Sequence, residues 1–285
     1  MSLSAAGASM PHPDLAHLLT LGVILLAIGG FAGVIAGLLG VGGGIVLVPA
    51  FLYAFTALGY GGPQIMQVCL ATSLATIAAT SGRSVRGHRA RGAVDEDILR
   101  SWAPSIAIGS IIGVLVAGGM KSTALMLIFG TLGSLVGLYI AFGRDEWRLS
   151  DRMPTGIGRA VTGTVIGFLS VLMGIGGGSF GVPLMRLHGV PIHRAIGTAS
   201  GFGLVIAIPS VIGFLLSGWG TPGLPPWTIG LVNLPAFAIV VATTMITTPW
   251  GVRLAHAMDA KPLKRTFGAF LILVALNMLR KALGA

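Results

Sequence analysis

Two long stretches of this chain contain no charged residue, and they limit its possible folds more than any other feature. No Asp, Glu, Lys or Arg occurs from Leu15 to Gly82, and none occurs from Ala195 to Val252. Charged residues make up 9% of the chain, against roughly 25% in a soluble domain. A single soluble core is therefore excluded. Each stretch must cross a lipid bilayer several times, at about 20 residues per crossing.

The apolar sequence divides into ten segments, so we predict an all-α polytopic membrane protein with two repeats of five segments. The first half contains Leu18–Leu39, Ile45–Leu58, Gln64–Ser81, Ser101–Met120 and Ser122–Phe142. The second half contains Ala160–Met173, Ser179–Leu187, His193–Ser217, Trp227–Trp250 and Thr266–Leu283. The second segment of each half is short, since Ile45–Leu58 would extend only about 21 Å as a helix, against a hydrocarbon core about 30 Å thick. The chain then divides into a tail (1–17), a first repeat (18–142), a linker (143–159) and a second repeat (160–285).

The two halves repeat the same landmarks in the same order. The sequence GVGGGIVLVP, which begins at Gly40, returns as GIGGGSFGVP, which begins at Gly174. Later landmarks also pair, namely ATS ending at Ser73 with TAS ending at Ser200, and Pro104 with Pro235. Several landmarks in one order, with small changes of spacing, indicate an internal duplication.

The distribution of positive charge predicts how the halves are oriented. If every segment crosses, each half has five crossings and the second half is inverted relative to the first. All Lys and Arg residues except Lys121, Arg280 and Lys281 then lie on one side, which the positive-inside rule makes the cytoplasm. If the short segments instead enter and return, the halves run parallel and the basic residues divide less cleanly. The charges therefore favour inverted repeats with cytoplasmic basic loops.

A glycine cluster precedes each short segment, where we expect an interrupted helix. Glycine adopts positive φ cheaply and allows close approach, and the first amides of the following helix lack partners. In hydrocarbon these amides need an acceptor, and an anion can supply it. We therefore predict two facing anion-binding loops, formed by Gly42, Gly43, Gly44, Gly176, Gly177 and Gly178. The alternative is that these glycines only permit tight helix crossing.

A few polar residues within or beside the apolar segments are further candidate ligands. Hydroxyl and amide groups can donate to an oxyanion, and arginine pairs with one. A hydroxyl can equally bond to the preceding helical turn, and an arginine at a helix end can reach the membrane interface. The candidates are Thr72, Ser73, Thr198, Ser200, Gln67, Asn233 and Arg194. His188 and His193 are the predicted titrating groups nearest to this pathway.

Catalytic and cofactor sites are not indicated. All acidic residues fall in loops or tails, which suits an anion better than a cation. The sequence GGSFG fits the G-x-S-x-G motif, but Ile45 occupies the serine position of the other cluster and no embedded acid is available to orient a histidine base. A third glycine for a dinucleotide fingerprint is missing. The single Cys69 excludes an intrachain disulfide, and the basic residues are not interleaved with aromatics as in a nucleic-acid surface.

These motifs resemble the TauE/SafE family of membrane anion permeases, also called the sulfite exporter or TSUP family. The similarity rests on the doubled G-x-G-G-G with proline, the ATS and GTAS motifs, the basic loop RGHRARGAVD and the C-terminal GVRLAHAMDAKPLKRTFGAFLILVALNMLRKAL. It covers nearly the whole chain. The resemblance implies a bacterial or archaeal inner-membrane protein that moves small sulfur-containing anions such as sulfite, sulfonates or thiosulfate.

We therefore expect a transporter, and by resemblance an exporter, of sulfite or an organosulfonate, working by alternating access around the two glycine loops. The alternatives are an anion channel, a carrier for another small organic anion, an intramembrane enzyme and a non-transporting scaffold. The expected partners are the small anion and the lipid bilayer, without nucleic acid, metal or organic cofactor. The sequence indicates no oligomeric state.

Overall fold

The computed structural model describes residues 15–39, 43–143, 147–257 and 260–284, and this part of the chain is almost entirely helical. The first half contains α1 (Leu15–Leu39), α2 (Gly44–Ala57), α3 (Ile65–Ala90), α4 (Glu96–Gly119) and α5 (Ser122–Phe142). The second half contains α6 (Gly156–Met173), α7 (Gly178–Leu187), α8 (Ile192–Ser217), α9 (Leu234–Ala257) and α10 (Ala260–Leu283). The predicted all-α fold with ten segments is confirmed.

Helix length and composition agree with a multi-pass membrane protein. Within the described residues, α3, α4, α5, α6, α8 and the Arg265–Leu283 part of α10 are long and apolar enough to cross a bilayer. Helices α2 and α7 contain 14 and 10 residues, and so rise only about 21 and 15 Å. Both begin directly after a glycine cluster. The predicted short second segments are therefore confirmed.

Equivalent helices of the two halves pack against each other in antiparallel pairs. Helix α3 packs against α8, with Ser81 beside Gly203 and His88 beside Gly197. Residue numbers thus rise along α3 as they fall along α8. Helices α5 and α10 form the other matched pair. Matched helices become antiparallel when a twofold axis lies across them, so the second half is inverted relative to the first.

The other long helices exchange partners between the halves in the same symmetric way. Helix α1 packs against α9, and its counterpart α6 packs against α4, the counterpart of α9. Gly29 of α1 lies against Thr243 of α9, and Gly163 of α6 lies against Ser105 of α4. Small residues at these crossings let the backbones approach closely, as is common in membranes. Each half is therefore completed by helices of the other.

Two matched hydrogen bonds set the register of the internal repeat. The Thr72 hydroxyl accepts a hydrogen bond from the Asn233 amide at 3.0 Å, and the Thr198 hydroxyl accepts one from the Asp95 amide at 2.8 Å. Thr72 is therefore the counterpart of Thr198, and Asn233 is the counterpart of Asp95. The predicted alignment of the ATS motif with the TAS motif is wrong by one residue.

The ninth predicted segment, Trp227–Trp250, begins differently from the prediction. Its first residues form a short antiparallel hairpin, in which β1 (Thr228–Ile229) pairs with β2 (Val232–Asn233). The Asn233 side chain then accepts a hydrogen bond from the Ala236 amide at 3.1 Å. This is the geometry of an N-cap, which starts a helix by satisfying a first-turn amide. Helix α9 therefore begins at Leu234.

Basic residues gather at one end of the bundle. Arg89 of α3 pairs with Glu96 at the start of α4, and Arg194 of α8 pairs with Asp95 at 3.2 Å. Lys281 lies at the other end, where its amino group donates to a hydroxyl near the end of α2 at 3.3 Å. This separation is what the predicted orientation requires, and the end that holds Arg89 and Arg194 is called the basic end below.

Candidate functional site

A cavity of about 240 Å³ lies where the glycine clusters that precede α2 and α7 meet. These two clusters are called the first and second glycine breaks. Gly43, at the start of α2, lines it on one side, and Gly176, Gly177 and Gly178, before α7, line it on another. Helix α3 contributes a wall, and α9 contributes the facing wall. Two breaks that are far apart in sequence therefore share one site, because the inverted halves bring α2 and α7 to the centre of the bundle.

The cavity runs from the centre of the protein toward the basic end. Four residues of α3 follow one another at intervals of four and so share one helix face. These lining residues are Thr76, Thr80, Ser84 and His88. Thr76 is 1% exposed, whereas Ser84 is exposed. Arg91, just beyond α3, also lines the cavity and is exposed, so the mouth lies at the basic end.

The first glycine break positions a left-handed residue at the cavity. Gly43 has φ of 68°, a conformation that favours glycine, and it is the N-cap of α2. Its carbonyl accepts hydrogen bonds from the amides of Val46 and Leu47 at 3.0 and 3.2 Å. The amides of Gly44 and Ile45 precede these bonds, and so have no acceptor within the helix. This break therefore supplies amide donors beside the cavity.

The second glycine break has a different geometry. Gly174, with φ of 61°, ends α6, and the next amide bonds back to the Ser170 carbonyl at 2.9 Å. Gly177 has right-handed φ of −62°. A Cβ at Gly177 would overlap Phe202 and lie 2.8 Å from the Ala199 carbonyl oxygen. Gly177 is thus required by packing against α8, although its backbone also lines the cavity.

The structure brings some of the predicted site residues together. Gly43, Gly176, Gly177, Gly178 and Ser200 line the cavity. Gly44 lies next to them, since a Cβ there would be 3.1 Å from the carbonyl oxygen that ends α6. Gly42 lies outside the described residues. Both the predicted anion-binding role of these glycines and the alternative packing role therefore have a physical basis.

The structure places the other predicted polar residues in contacts between helices, away from the cavity lining. Thr72 and Thr198 accept the matched amide hydrogen bonds at the starts of α9 and α4. Ser73 donates to the carbonyl that ends α6 at 2.7 Å. Gln67 donates to the Met120 carbonyl at 2.6 Å. The two remaining residues are engaged at helix starts, Asn233 as the cap of α9 and Arg194 in its ion pair.

Several cavity residues were not predicted from the sequence. The third apolar segment was expected to end at Ser81, but α3 continues to Ala90. Its last turns carry the polar residues that line the cavity. The signal that was available is the spacing of small polar residues at intervals of four, which recurs in α9 at Thr244 and Thr248. Such spacing indicates that the polar residues share one face of a helix.

The electrostatic environment of the cavity is positive. Arg83, His88 and Arg91 line it, and no Asp or Glu is among the lining residues that the structure describes. The nearest helix start carries Asp95 and Glu96, which are engaged in ion pairs with arginines. His88 is the histidine at the cavity. The predicted His188 instead contacts the Leu184 carbonyl at 2.8 Å, and His193 is exposed.

The hydroxyl groups in the cavity differ in whether their proton is already donated to a backbone carbonyl. Thr76, Thr80 and Thr248 each donate to a carbonyl one turn earlier in their own helix, so their hydroxyl protons are already used. Ser81 and Ser84 make no such bond in the described part of the chain and remain possible donors. The described residues also contain no group of three or more His, Cys, Asp or Glu that could hold a metal ion.

Inverted repeats with interrupted helices around a central site are an architecture typical of membrane transporters. Comparison with known proteins agrees with this class. The family model for the sulfite exporter TauE/SafE matches residues 25–278. The chain therefore belongs to the TauE/SafE family, a family of membrane transporters rather than enzymes.

Curated relatives carry transporter names. The chain is 32% identical over 259 residues to a "probable membrane transporter protein" of Haemophilus influenzae, covering 91% of this chain and 98% of that one. A protein with the same description in Methanocaldococcus jannaschii is 27% identical, over 90% of this chain and 94% of its own length. A Bacillus subtilis protein so described is 28% identical over 69% of this chain and 79% of that one. No solved structure matches the chain.

Proposed function

We propose that this protein exports a small sulfur oxyanion, such as sulfite or an organosulfonate, and that the cavity between the glycine breaks is its binding site. The observation that carries the proposal is a cavity with amide and guanidinium donors and without a carboxylate in its described lining. Such a site stabilises a bound negative charge. It offers a cation no carboxylate ligand. The anion would lie beside Gly43 and the second glycine break.

The arginines and histidine at the mouth support attraction of an anion. Arg83 and Arg91 are exposed and paired with no acid in the described residues. Positive charge around a cleft raises the local concentration of an anion and its rate of entry. Deeper in the cavity, amides that have no intrahelical partner replace the solvation that the anion loses. Charge therefore attracts the anion and backbone donors hold it.

The sulfur substrate is supported by the family description, which names a sulfite exporter. The apolar part of the cavity wall, formed by Leu47, Met245 and Pro249, is suited to the carbon chain of an organosulfonate. The same wall favours a second candidate, transport of another small organic anion. Export is supported by the same family description, and the mouth at the basic end, which the positive-inside rule places in the cytoplasm, would admit the anion from that side.

Purified protein in liposomes would test the proposal. Vesicles are loaded with labelled sulfite, taurine, sulfoacetate or thiosulfate, and release is compared with vesicles that lack protein. At least one of these sulfur anions is expected to leave faster with protein present. Release of a carboxylate such as acetate, with none of the sulfur anions, would favour the second candidate. Equal release with and without protein for every anion would reject the transport proposal.

A matched pair of arginine variants then tests the site. Arg83 lines the cavity, whereas Arg86, on the same helix and also exposed, does not. Arg83→Gln is expected to slow release at low ionic strength by about tenfold, within the range known for electrostatic attraction. Arg86→Gln is expected to leave the rate unchanged. An equal effect of both variants would show that net charge, and not this cavity, controls entry.

A further inference from the structure

A second depression, an open groove of about 520 Å³, lies at the basic end between the first turns of α4 and α6. Its charged lining residues are Asp97 and Arg100 of α4 and Arg159 of α6. Trp102 of α4 and Met153, just before α6, belong to its apolar lining. The groove is separate from the cavity between the glycine breaks, because the two have no lining residue in common.

Both arginines of the groove have guanidinium groups that are free to bind an anion. Arg100 lies 3.9 Å from Glu96, but the carboxylate of Glu96 is already engaged by Arg89 at 2.6 Å. The Arg159 side chain forms no ion pair within the described part of the chain. Two arginines against the single Asp97 leave one net positive charge in the groove. One monoanionic group would neutralise it.

The groove adjoins the faces of α4 and α6 that are exposed to lipid. Arg100 is the first of a row of exposed residues along one face of α4, and the others in that row are apolar. A second exposed row on α6 begins between two lining residues of the groove. The rows are Arg100, Pro104, Ile108 and Ile112 on α4, and Ile157, Val161 and Val165 on α6, each at intervals of four. Apolar surface therefore leads from the charged groove along the membrane-facing sides of both helices.

The matched pair of helices, α1 and α9, shows that helix packing does not require these arginines. The α1–α9 and α4–α6 crossings align at their glycine contacts. In that alignment the counterpart of Arg159 is Leu25 of α1, and the counterpart of Arg100 is Ala238 of α9. The α1–α9 crossing thus forms without either charge. The arginines are an addition at the basic end alone, and a bound ligand gives them a purpose.

We propose that this groove binds the phosphate of an anionic phospholipid from the leaflet at the basic end. Guanidinium groups pair with phosphate oxygens through two parallel hydrogen bonds, and basic pockets between membrane helices on the cytoplasmic side bind lipid headgroups. The acyl chains lie along the exposed apolar faces of α4 and α6. The bound lipid thereby joins one helix of each half. This inference does not rest on the proposed transport function.

Native mass spectrometry of the purified protein in a neutral detergent tests the groove. Protein freed of lipid is titrated with phosphatidylglycerol at low ionic strength, and the affinity for the first bound lipid is compared between variants. Arg100→Gln and Arg159→Gln are each expected to weaken it about fivefold, the attraction that one basic residue supplies near an anionic membrane surface. Arg159→Lys, which keeps the charge, is expected to bind more tightly than Arg159→Gln.

A matched control separates this site from general attraction by positive charge. Arg152 is exposed at the same end but does not line the groove, so Arg152→Gln is expected to leave the affinity unchanged. Equal weakening by Arg152→Gln would overturn the site. Equal affinity for phosphatidylethanolamine, whose headgroup carries no net charge, would overturn the requirement for an anionic lipid.

Two further comparisons identify the source of the phosphate and its place. Glycerophosphoglycerol, the same headgroup without acyl chains, is expected to compete about a hundredfold more weakly than the lipid, because it buries no acyl chain. Equal competition would reject a lipid in favour of a free phosphodiester. Arg83→Gln, in the transport cavity, is expected to leave lipid affinity unchanged. A loss as large as that of Arg159→Gln would place the lipid in the cavity and reject the groove, whatever the outcome of the anion-release experiment.

Discussion

The two glycine breaks have almost the same sequence, yet they are used differently. In the first, Gly43 is left-handed and lines the cavity opposite the small Thr76. In the second, Gly177 is right-handed and in contact with the large Phe202. The repeated motif therefore determines where each helix is interrupted. Both breaks line the cavity, and the second is in addition packed against Phe202 of the facing helix α8.

This difference has a physical origin in one pair of side chains. A glycine without a Cβ leaves space that either solvent or a neighbouring side chain can occupy. On α8 the Cβ of Phe202 and the helix backbone fill that space at Gly177, and the Phe202 ring fills it at Gly181. On α3 the small Thr76 lines the open cavity. Inverted repeats that were identical would make both sides alike, so the substitutions between α3 and α8 make the present structure open at the basic end alone.

Among variants that test the difference between the two glycine breaks, substitution of Gly177 should have the largest effect. Gly177→Val places a branched side chain against Phe202 and the Ala199 carbonyl, and we expect loss of most folded protein. Gly177→Ala should lower stability by about 1–3 kcal/mol, the usual cost of overpacking. Thermal unfolding of the protein in detergent, followed by size-exclusion chromatography, would measure both.

A double variant tests the cause of that loss. A Cβ at Gly177 would meet the Cβ of Phe202 and the Ala199 carbonyl oxygen, and Phe202→Ala keeps both, so the combination Gly177→Ala with Phe202→Ala should be as unstable as the sum of the single variants. Gly30→Ala of α1 is the control, since a Cβ there meets nothing within 4 Å. A double variant more stable than that sum would show that the ring of Phe202, and not its Cβ or the α8 backbone, requires glycine at this position.

At Gly43 we expect a smaller effect of a different kind. A residue with a Cβ in the left-handed conformation costs about 1–2 kcal/mol, whereas Asn tolerates it better. Gly43→Ala should therefore be less stable than Gly43→Asn, and truncation of the facing hydroxyl in Thr76→Ala should rescue neither. Melting temperatures of these variants would check the order. Rescue by Thr76→Ala would instead indicate crowding, as at the second break.

A third comparison concerns the matched hydrogen bonds that join the halves. Thr72→Val and Thr198→Val each leave an amide without its acceptor, at a cost of about 1–3 kcal/mol when the amide is buried. Asn233 is 2% exposed, whereas Asp95 is only partly buried and keeps its ion pair with Arg194. Thr72→Val should therefore lower the unfolding temperature more than Thr198→Val. Equal losses would show that solvent does not compensate at Asp95.

Much of the fold followed from the sequence because hydrophobicity and glycine act locally. The ten segments, the short second helix of each half and the inverted relation of the halves were all predicted. Besides the one-residue error between the ATS and TAS motifs, a second landmark was wrong, because the registers given by the matched hydrogen bonds place Ala242, and not Pro235, opposite Pro104. The α8–α9 connection is longer than its counterpart, and a sequence alignment by motif cannot detect where the extra residues form a hairpin.

The candidate site was harder to predict than the fold. The glycines that meet at the cavity were identified because glycine itself indicates a special backbone conformation or a close approach. The wall of α3 was missed because its polar turns look like a loop until another helix is known to face them. Thr72 and Ser73 were expected near the ligand, but their hydroxyls bond to the other half of the protein. A polar group inside a membrane needs a partner, and the sequence does not say whether that partner is ligand or backbone.

The smallest expected effect concerns pH, and it tests the mouth of the cavity at the basic end. His88 lines the mouth of the cavity together with Arg83 and Arg91, and histidine is the side chain that changes charge near neutral pH. Protonation adds positive charge, so release of a permanently charged sulfonate should be faster at pH 5 than at pH 8. Because two arginines already supply charge there, the difference should be only about twofold. His88→Gln should abolish this slope, whereas His193→Gln, outside the cavity lining, should preserve it. A slope that survives His88→Gln and disappears in His193→Gln would place the responsive group outside the cavity.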